Sequence, residues 1–398
     1  MVTTTDDIER SEQTPLSKKL ILLMSIACGM AVANLYYNQP LLADMGRTFH
    51  ATAHQVSNIA MFTQIGYAVG MFIFVPMGDM QERRKLIVIL LIAVTLSLIG
   101  VATAQDLLWI NIASLAVGVT TVAPQIILPL AAQLAAPMER GKVIGSIMSG
   151  LFIGILLART IAGFIGGILG WRTMYWLAAV MMLALAVILR TFLPKSYPEF
   201  RLSYPELYKS IGKLIMTQPI LREASLIGAM LFGCFSLFWT SLSFFLEGEP
   251  YHYGSEVAGL FGLVGIVGVM GAPIVGRLAD RFNAKAMVGL LIGISLLSYL
   301  FFGFFGTSLW ALIVGVVLLD LGVQGAQVSN QTRIYSLIPE ARSRLNTVYM
   351  VSYFLGGSLG SSLGGYAWNW WKWQGVCLTG GVMILIALII WATHRTKE

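Results

Sequence analysis

The sequence predicts an all-α membrane protein with twelve transmembrane helices, arranged as two pseudo-symmetric bundles of six. Of its 398 residues, 57% are hydrophobic and only 11% are charged, and the mean hydropathy is +0.77. A soluble domain carries about 25% charged residues, so this chain has too few charges to face water on all sides. The apolar residues fall into twelve long runs, and the second half of the chain repeats features of the first.

Each apolar run is long enough to cross about 30 Å of hydrocarbon. In the first half the runs lie near 19–43, 54–77, 86–104, 107–135, 143–169 and 171–193, and in the second near 219–246, 256–279, 286–305, 308–337, 345–367 and 372–394. The longest polar interval separates two sets of six. We therefore expect an N-terminal bundle over 1–193, a cytoplasmic linker over 194–218 and a C-terminal bundle over 219–398.

The distribution of basic residues predicts the orientation. If both termini are cytoplasmic, only Arg47, Arg172 and Lys372 lie on the opposite side, and Arg159 lies within a span. This asymmetry is what the positive-inside rule requires. The basic residues are scattered among short loops rather than clustered on one helix face, which argues against a nucleic-acid partner.

A charged loop follows the second span of each half. PMGDMQERRKL covers residues 76–86, and VGRLADRFNAK covers 275–285 with Asp280 in the place of Asp79. An aspartate at a helix end can form a cluster with arginines and a neighbouring helix N-terminus, and such a cluster can hold one conformation together. The alternative is that these charges only set the topology. The candidate gating residues are Asp79, Arg83, Arg84, Asp280 and Arg281.

Two halves of six spans, each with such a loop, resemble the major facilitator superfamily over essentially the whole chain. The family's loop motif is Gly-x-x-x-Asp-Arg-x-Gly-Arg-Arg, which both loops match in part. With ANLYYNQPLLADM in the first span, the chain is most similar to bacterial drug/proton antiporters and sugar-efflux permeases. Two positions depart from the antiporter pattern: Ala158-Arg159 replaces Gly-Pro, and Ser114 replaces an Arg.

The resemblance implies proton-coupled export of a small organic solute, drug-like, sugar-like or a metabolite, by alternating access. It also implies a location in the bacterial inner membrane. Import, uncoupled facilitation, or a receptor without transport on the same fold are the alternatives. The expected partners are the solute, protons and the lipid bilayer, and the chain is expected to be a monomer.

Two charged residues lie near the middle of predicted spans, Asp320 in the tenth and Arg159 in the fifth. Charges inside a membrane are costly, so each is a candidate functional residue. A lone carboxyl group in hydrocarbon is suited to binding and releasing a proton, and an arginine can control this or hold an anionic group. We therefore expect Asp320 and Arg159 to couple protons to transport. The alternative is a static pair that joins the two halves.

Polar side chains at helical spacing predict a solute cavity lined by the first, fourth, seventh and tenth spans. Uncharged amides and aromatic rings suit a neutral, amphipathic or polyhydroxylated solute. The alternative for each residue is a hydrogen bond between helices. The candidate residues are Asn34, Tyr37, Asn38, Gln125, Trp239, Gln324, Gln327 and Gln331.

Glycines recur every three or four positions in the second, fifth, eighth and eleventh spans, which predicts close packing there and a contact surface between the two halves. No enzyme motif or phosphate-binding loop is present, and the four histidines lack metal-ligand spacing, so we expect neither catalysis nor a cofactor.

Overall fold

The computed structural model describes residues 17–78, 80–136, 139–197, 204–265, 283–338 and 341–393, and the regular secondary structure in these ranges is helical. The helices are α1 Lys18–Ala33, α2 Asn38–Phe49, α3 Ala53–Met77, α4 Arg83–Ala102, α5 Leu107–Thr120, α6 Ala123–Leu134, α7 Arg140–Leu169, α8 Trp171–Phe192, α9 Tyr204–Thr217, α10 Pro219–Glu247, α11 Ser255–Gly265, α12 Ala284–Phe305, α13 Leu309–Tyr335 and α14 Arg342–Thr393.

Ten helical segments within these ranges are long and apolar enough to cross a membrane, counting α1–α2 and α5–α6 as one segment each. The 52-residue α14 is two spans, because the backbone is non-helical at Trp371 and Lys372. The predicted eighth span is described only over α11. The twelve-span prediction is therefore confirmed for eleven spans and for the beginning of the remaining one.

The first and fourth spans are interrupted near their middles. Between α1 and α2 the chain makes tight turns, with Tyr36 N donating to Ala33 O at 3.0 Å. Pro40 has no N–H to donate to Tyr36 O, which accepts from Gln39 N at 3.3 Å instead. Pro124 likewise has no N–H to donate between α5 and α6, and the next residue, Gln125, donates to Val122 O at 3.0 Å in a tight turn.

Glycines bring helices of the same half together. Here the first half means α1–α8 and the second half α10–α14. A Cβ on Gly29 of α1 would lie 2.5 Å from Gly150 O of α7, and a Cβ on Gly364 of α14 would lie 3.1 Å from Leu237 O of α10. Gly66 of α3 likewise faces Gly118 of α5. Small residues thus let backbones touch within each half.

The two halves meet along a surface that we call the seam, which includes α3 against α14 and α7 against α11. A Cβ on Gly163 would lie 2.8 Å from Gly259 Cα, and one on Gly365 would lie 2.7 Å from His54 Cα. The second, fifth, eighth and eleventh spans were predicted to form this surface, and the described ranges agree: the second span meets the eleventh and the fifth meets the eighth, a pairing that the sequence did not predict. Several of the predicted seam glycines, however, face a helix of their own half, Gly66 and Gly150 among them.

The interval predicted as a linker contains the amphipathic helix α9. Its apolar residues Leu207, Ile211 and Leu214 are buried. The hydroxyl of Tyr208 donates to Phe72 O of α3 at 3.0 Å, and Arg344 of α14 donates to Ser210. This helix therefore contacts both halves.

Candidate functional site

A cavity of about 730 Å³ lies between the halves. Its wall runs from the aromatic rings of Tyr36, Phe232 and Tyr353 at the deep end to Arg83 and Arg342 at the mouth. Because Arg83 and Arg342 begin α4 and α14, the mouth lies at the end of the molecule where α1 also begins. We call this the open end.

Four of the predicted solute-binding residues line this cavity, namely Gln125, Gln324, Gln327 and Gln331. Two of the amides also contact polar side chains. Gln125 Nε2 donates to the Tyr67 hydroxyl at 3.0 Å, and Gln331 Nε2 donates to Asn346 Oδ1 at 3.2 Å. The cavity wall thus combines a row of amides with apolar and aromatic surface.

The other four predicted residues, Asn34, Tyr37, Asn38 and Trp239, are buried outside the lining. The prediction that Asn34, Tyr37 and Asn38 share one cavity-facing side assumed an unbroken helix, and the tight turns before Pro40 rotate these side chains away. Tyr36 faces the cavity instead. Asn38 Nδ2 donates to Thr63 Oγ1 of α3 at 3.2 Å, so it joins two helices.

Arg159 is enclosed at the seam, with only 1% of its surface exposed. Its Nε donates to Gln39 Oε1 of α2 at 2.6 Å. Its guanidinium lies 4.0 Å from the Trp239 ring centroid and 4.9 Å from that of Tyr36. Since Tyr36 lines the cavity and Arg159 does not, the Tyr36 ring separates the guanidinium from the cavity.

Asp320 lies beside this site on α13 and is equally buried. Arg159 and Asp320 form no ion pair within 4.0 Å. Among the described residues, Arg159 Nη1 and Nη2 and Asp320 Oδ2 have no hydrogen-bond partner. The static pair offered as an alternative is therefore not present in this conformation.

The glycine face of α11 makes room for both charges. A Cβ on Gly262 would lie 2.9 Å from Arg159 Cβ, and a Cβ on Gly265 would lie 3.2 Å from Asp320 Oδ2. Larger residues at these positions would fill the space around the two side chains. The glycines of α11 thus lie directly against both charged side chains.

A second buried ionic site is one that the sequence analysis missed. Arg333 Nη2 of α13 donates to both carboxylate oxygens of Glu223 of α10 at 3.1 Å, and Nη1 donates to Asn330 Oδ1 at 3.3 Å. Glu223 lies close to the predicted start of its span, so its sequence position did not mark it as a membrane charge. All three residues belong to the second half.

The end opposite the cavity mouth is closed by contacts between the halves, and we call it the closed end. Arg47 of α2 pairs with Glu247 of α10. The His54 ring of α3 stacks on Tyr366 of α14 with centroids 3.6 Å apart. Deeper, Gln64 Nε2 donates to Ser361 Oγ at 3.0 Å. These contacts between described residues join the two halves at the closed end.

Of the predicted gating residues, Asp79, Asp280 and Arg281 lie outside the described residues. Arg83 Nε donates to Gly78 O at 2.8 Å, and Arg84 Nη1 donates to Leu193 O at 3.1 Å. These bonds lie within the first half, and a gating role for the loops stays a prediction.

The chain is similar to known transporters in sequence and in structure. Residues 22–293 and 269–398 match the family model of the Major Facilitator Superfamily. The uncharacterized transporter YgaY of Escherichia coli strain K12 is 44% identical over 384 residues, which cover 96% of this chain and 98% of that protein.

Two solved structures share the fold. The nucleoside transporter NupG aligns with a TM-score of 0.76 at 16% identity, over 95% of this chain and 100% of that chain. An inward-facing, unoccupied bacterial homologue of the human lysosomal transporter Spinster aligns with a TM-score of 0.72 at 17% identity. The alignment covers 95% of this chain and 96% of that chain.

The narrower likeness to drug antiporters and sugar-efflux permeases stays a prediction. The family match, the relative and the shared fold together show that this chain belongs to the Major Facilitator Superfamily.

Proposed function

We propose that this membrane transporter couples the movement of a small organic solute to protons through Asp320 and Arg159. The observation that carries the proposal is the buried, unpaired state of these two groups on opposite sides of the seam. If the halves move relative to each other, the separation of the two charges changes. The proton affinity of Asp320 then differs between conformations, and such a difference is what couples a ligand to a conformational equilibrium.

The cavity supports alternating access. It opens at one end, while ion-pair, ring and amide contacts between the halves close the other. In our proposed orientation, with both termini in the cytoplasm of a bacterial inner membrane, the open end faces the cytoplasm. We also propose that residues 1–193 and 219–398 are the two moving bundles, joined by the cytoplasmic linker 194–218.

Export by proton antiport is the direction that the sequence resemblance favours. Solute flux in proteoliposomes, measured with and without a pH gradient, tests both direction and coupling. Antiport predicts that a gradient with the acidic side at the closed end drives solute out through that end. Equal fluxes with and without the gradient would contradict coupling.

The role of Asp320 is tested by Asp320→Asn, with Glu223→Gln as the matched control because it also converts a buried carboxylate to an amide. Asp320→Asn should abolish gradient-driven accumulation and spare solute exchange down its own gradient. Glu223→Gln should keep both, since its amide can still accept a hydrogen bond from Arg333. Uphill transport by Asp320→Asn would remove Asp320 from the mechanism.

Import by proton symport is a second candidate, favoured by one observation. Arg159 has a buried guanidinium with two unpartnered nitrogens, which suits a solute that brings its own negative charge. Opposite responses to the same pH gradient distinguish symport from antiport in the proteoliposome experiment.

A further inference from the structure

The charged site at the seam is chemically incomplete. Two guanidinium nitrogens of Arg159 and one carboxylate oxygen of Asp320 are buried and find no hydrogen-bond partner in the part of the chain that the structure describes. A buried charged group without partners is costly, and this cost is relieved when a ligand supplies the missing contacts. The question is which ligand chemistry fits.

The orientation of Arg159 leaves one edge of its guanidinium for a ligand. Gln39 holds Nε, and the Trp239 ring covers the guanidinium plane at 4.0 Å. The remaining edge presents Nη1 and Nη2 side by side. That edge matches the two oxygens of a carboxylate, which accept two parallel hydrogen bonds from it.

The charged side chains along the cavity also favour a negatively charged ligand. Arg83 and Arg342 at the mouth are the charged side chains among the described lining residues, which include no Asp or Glu. A cleft of one sign raises the local concentration of ligands of the opposite sign. An anion is therefore attracted at the mouth and can be bound at the deep end.

Aromatic rings define the shape of the deep end. Phe232 and Tyr353, which line the cavity, stack with centroids 4.0 Å apart. Tyr36 lines the cavity and its ring centroid lies 4.9 Å from the Arg159 guanidinium, so a movement of this ring would bring a carboxylate at the deep end towards Arg159. The wall beside that path suits a flat apolar or aromatic body.

We propose that the transported solute is an organic anion whose carboxylate binds Arg159 and whose apolar or aromatic body occupies the deep end of the cavity. This inference rests on the symport form of the proposed transport function and narrows its substrate class. It departs from the neutral solute that the amide-rich sequence favours, because the sequence did not show that the Arg159 edge lacks a partner.

The charge balance at the site links the anion to a proton. The titratable groups near Asp320 among the described residues are Arg159, Tyr36 and Tyr353. A solute carboxylate and an ionised Asp320 would place two negative charges against one guanidinium in a desolvated site. A proton on Asp320 restores neutrality, so the anion and the proton bind together and travel in the same direction, as in the symport candidate and not in antiport.

The test is a binding panel of matched triplets, each a carboxylic acid, its amide and the corresponding amine. One triplet is indole-3-acetate, indole-3-acetamide and tryptamine, and others carry phenyl and naphthyl bodies. Affinities are measured on the purified full chain in detergent, at one pH where the acids are ionised and the amines protonated. Charged hydrogen bonds contribute about 1.5–3 kcal/mol, so at least one acid should bind about 10–100-fold more tightly than its amide.

The variant Arg159→Gln/Asp320→Asn removes the acid preference while leaving no unpaired charge that would threaten folding. Its acid-to-amide affinity ratio should fall to about one. Arg172→Gln is the matched control, because Arg172 also stacks on a tryptophan, Trp171, at 4.3 Å but lies outside the cavity lining. The ratio should be unchanged in this control.

Three results would overturn the proposal: amides or amines binding as tightly as the acids in every triplet, acid preference persisting in the double variant, or no acid in the panel binding. The measurement needs no gradient and no transport. A failure of proton-driven flux in proteoliposomes would therefore leave this result standing, and the two proposals fail separately.

Discussion

Helix α13 carries one member of each of two buried Arg–acid sites, and the two sites differ in where the partners lie and in how many hydrogen bonds they form. Near the open end, Arg333 binds both oxygens of Glu223 and also Asn330, all within the second half. Farther along the helix, Asp320 faces Arg159 across the seam, and neither completes its hydrogen bonds. A charge inside one half has fixed partners, whereas a charge between the halves has partners that depend on their relative position.

Burial does not distinguish the two sites, since all four side chains are at most 5% exposed, and the proposed functional role of Asp320 and Arg159 rests on this difference in partners instead. A bonded pair within a half has no reason to respond to motion between the halves. An incomplete pair across the seam responds to any such motion, or to a ligand that enters it.

The largest effect should be on stability, at the complete pair. Glu223→Leu leaves the Arg333 guanidinium buried without its partner, which costs about 3–5 kcal/mol. Asp320→Asn removes a charge that already lacks a full set of hydrogen bonds, so we expect no loss of folding stability. The apparent melting temperatures of the two purified variants measure these effects. If Asp320→Asn lowered the melting temperature as much as Glu223→Leu does, the two sites would not differ in the way described.

Replacing both members of the complete pair should restore most of that stability. A buried ion pair exchanged for apolar residues of similar size is often neutral or stabilising. Glu223→Leu/Arg333→Met should therefore melt close to the parent protein. A double variant as unstable as Glu223→Leu alone would show that the two residues act independently.

Arg159→Lys should have an intermediate effect, and on transport rather than on folding. Lysine keeps the charge but lacks the planar fork and the flat face that stacks on Trp239. Losing one charge-assisted hydrogen bond corresponds to about a tenfold reduction in gradient-driven accumulation. Solute uptake into proteoliposomes measures this reduction. Accumulation equal to that of the parent protein would mean that a positive charge at position 159 is enough for transport.

The smallest effect is expected for the loop charges outside the spans. Asp79→Asn, and less strongly Asp280→Asn, should slow turnover while solute binding is largely unchanged. Ion pairs in exposed loops contribute about 0.2–1 kcal/mol, so the slowing should not exceed about fivefold. Normal turnover in the double variant would reduce these loops to topology signals.

The sequence predicted those features that depend on one unbroken helix. Gln324, Gln327 and Gln331 lie on the continuous α13, and their spacing placed all three on the cavity wall. The same reasoning failed for Asn34, Tyr37 and Asn38, where Pro40 interrupts the hydrogen-bond pattern. The proline was visible in the sequence and was the signal that could have corrected the prediction.

Features that depend on two distant helices could not be predicted in the same way. The bond between Glu223 and Arg333 needs the distance between α10 and α13, which no spacing along the chain supplies. The burial of Trp239 against Arg159 likewise depends on how α10 meets α7. A stripe of glycines predicts that a close neighbour exists but does not identify it, so Gly66 was assigned to the wrong contact.

The glycine contacts have a consequence for how this protein can change over generations. At Gly118, an added Cβ would meet Gly66 Cα at 2.9 Å, and at Gly150 it would meet Ser25 O at 2.5 Å. Almost every alternative amino acid is excluded there by backbone atoms that cannot move aside. Cavity-wall positions such as Gln327 border open space, where a different side chain has room. If the cavity holds the solute as we propose, substitutions that alter its selection are open to this chain, while the glycine contacts between helices leave little freedom.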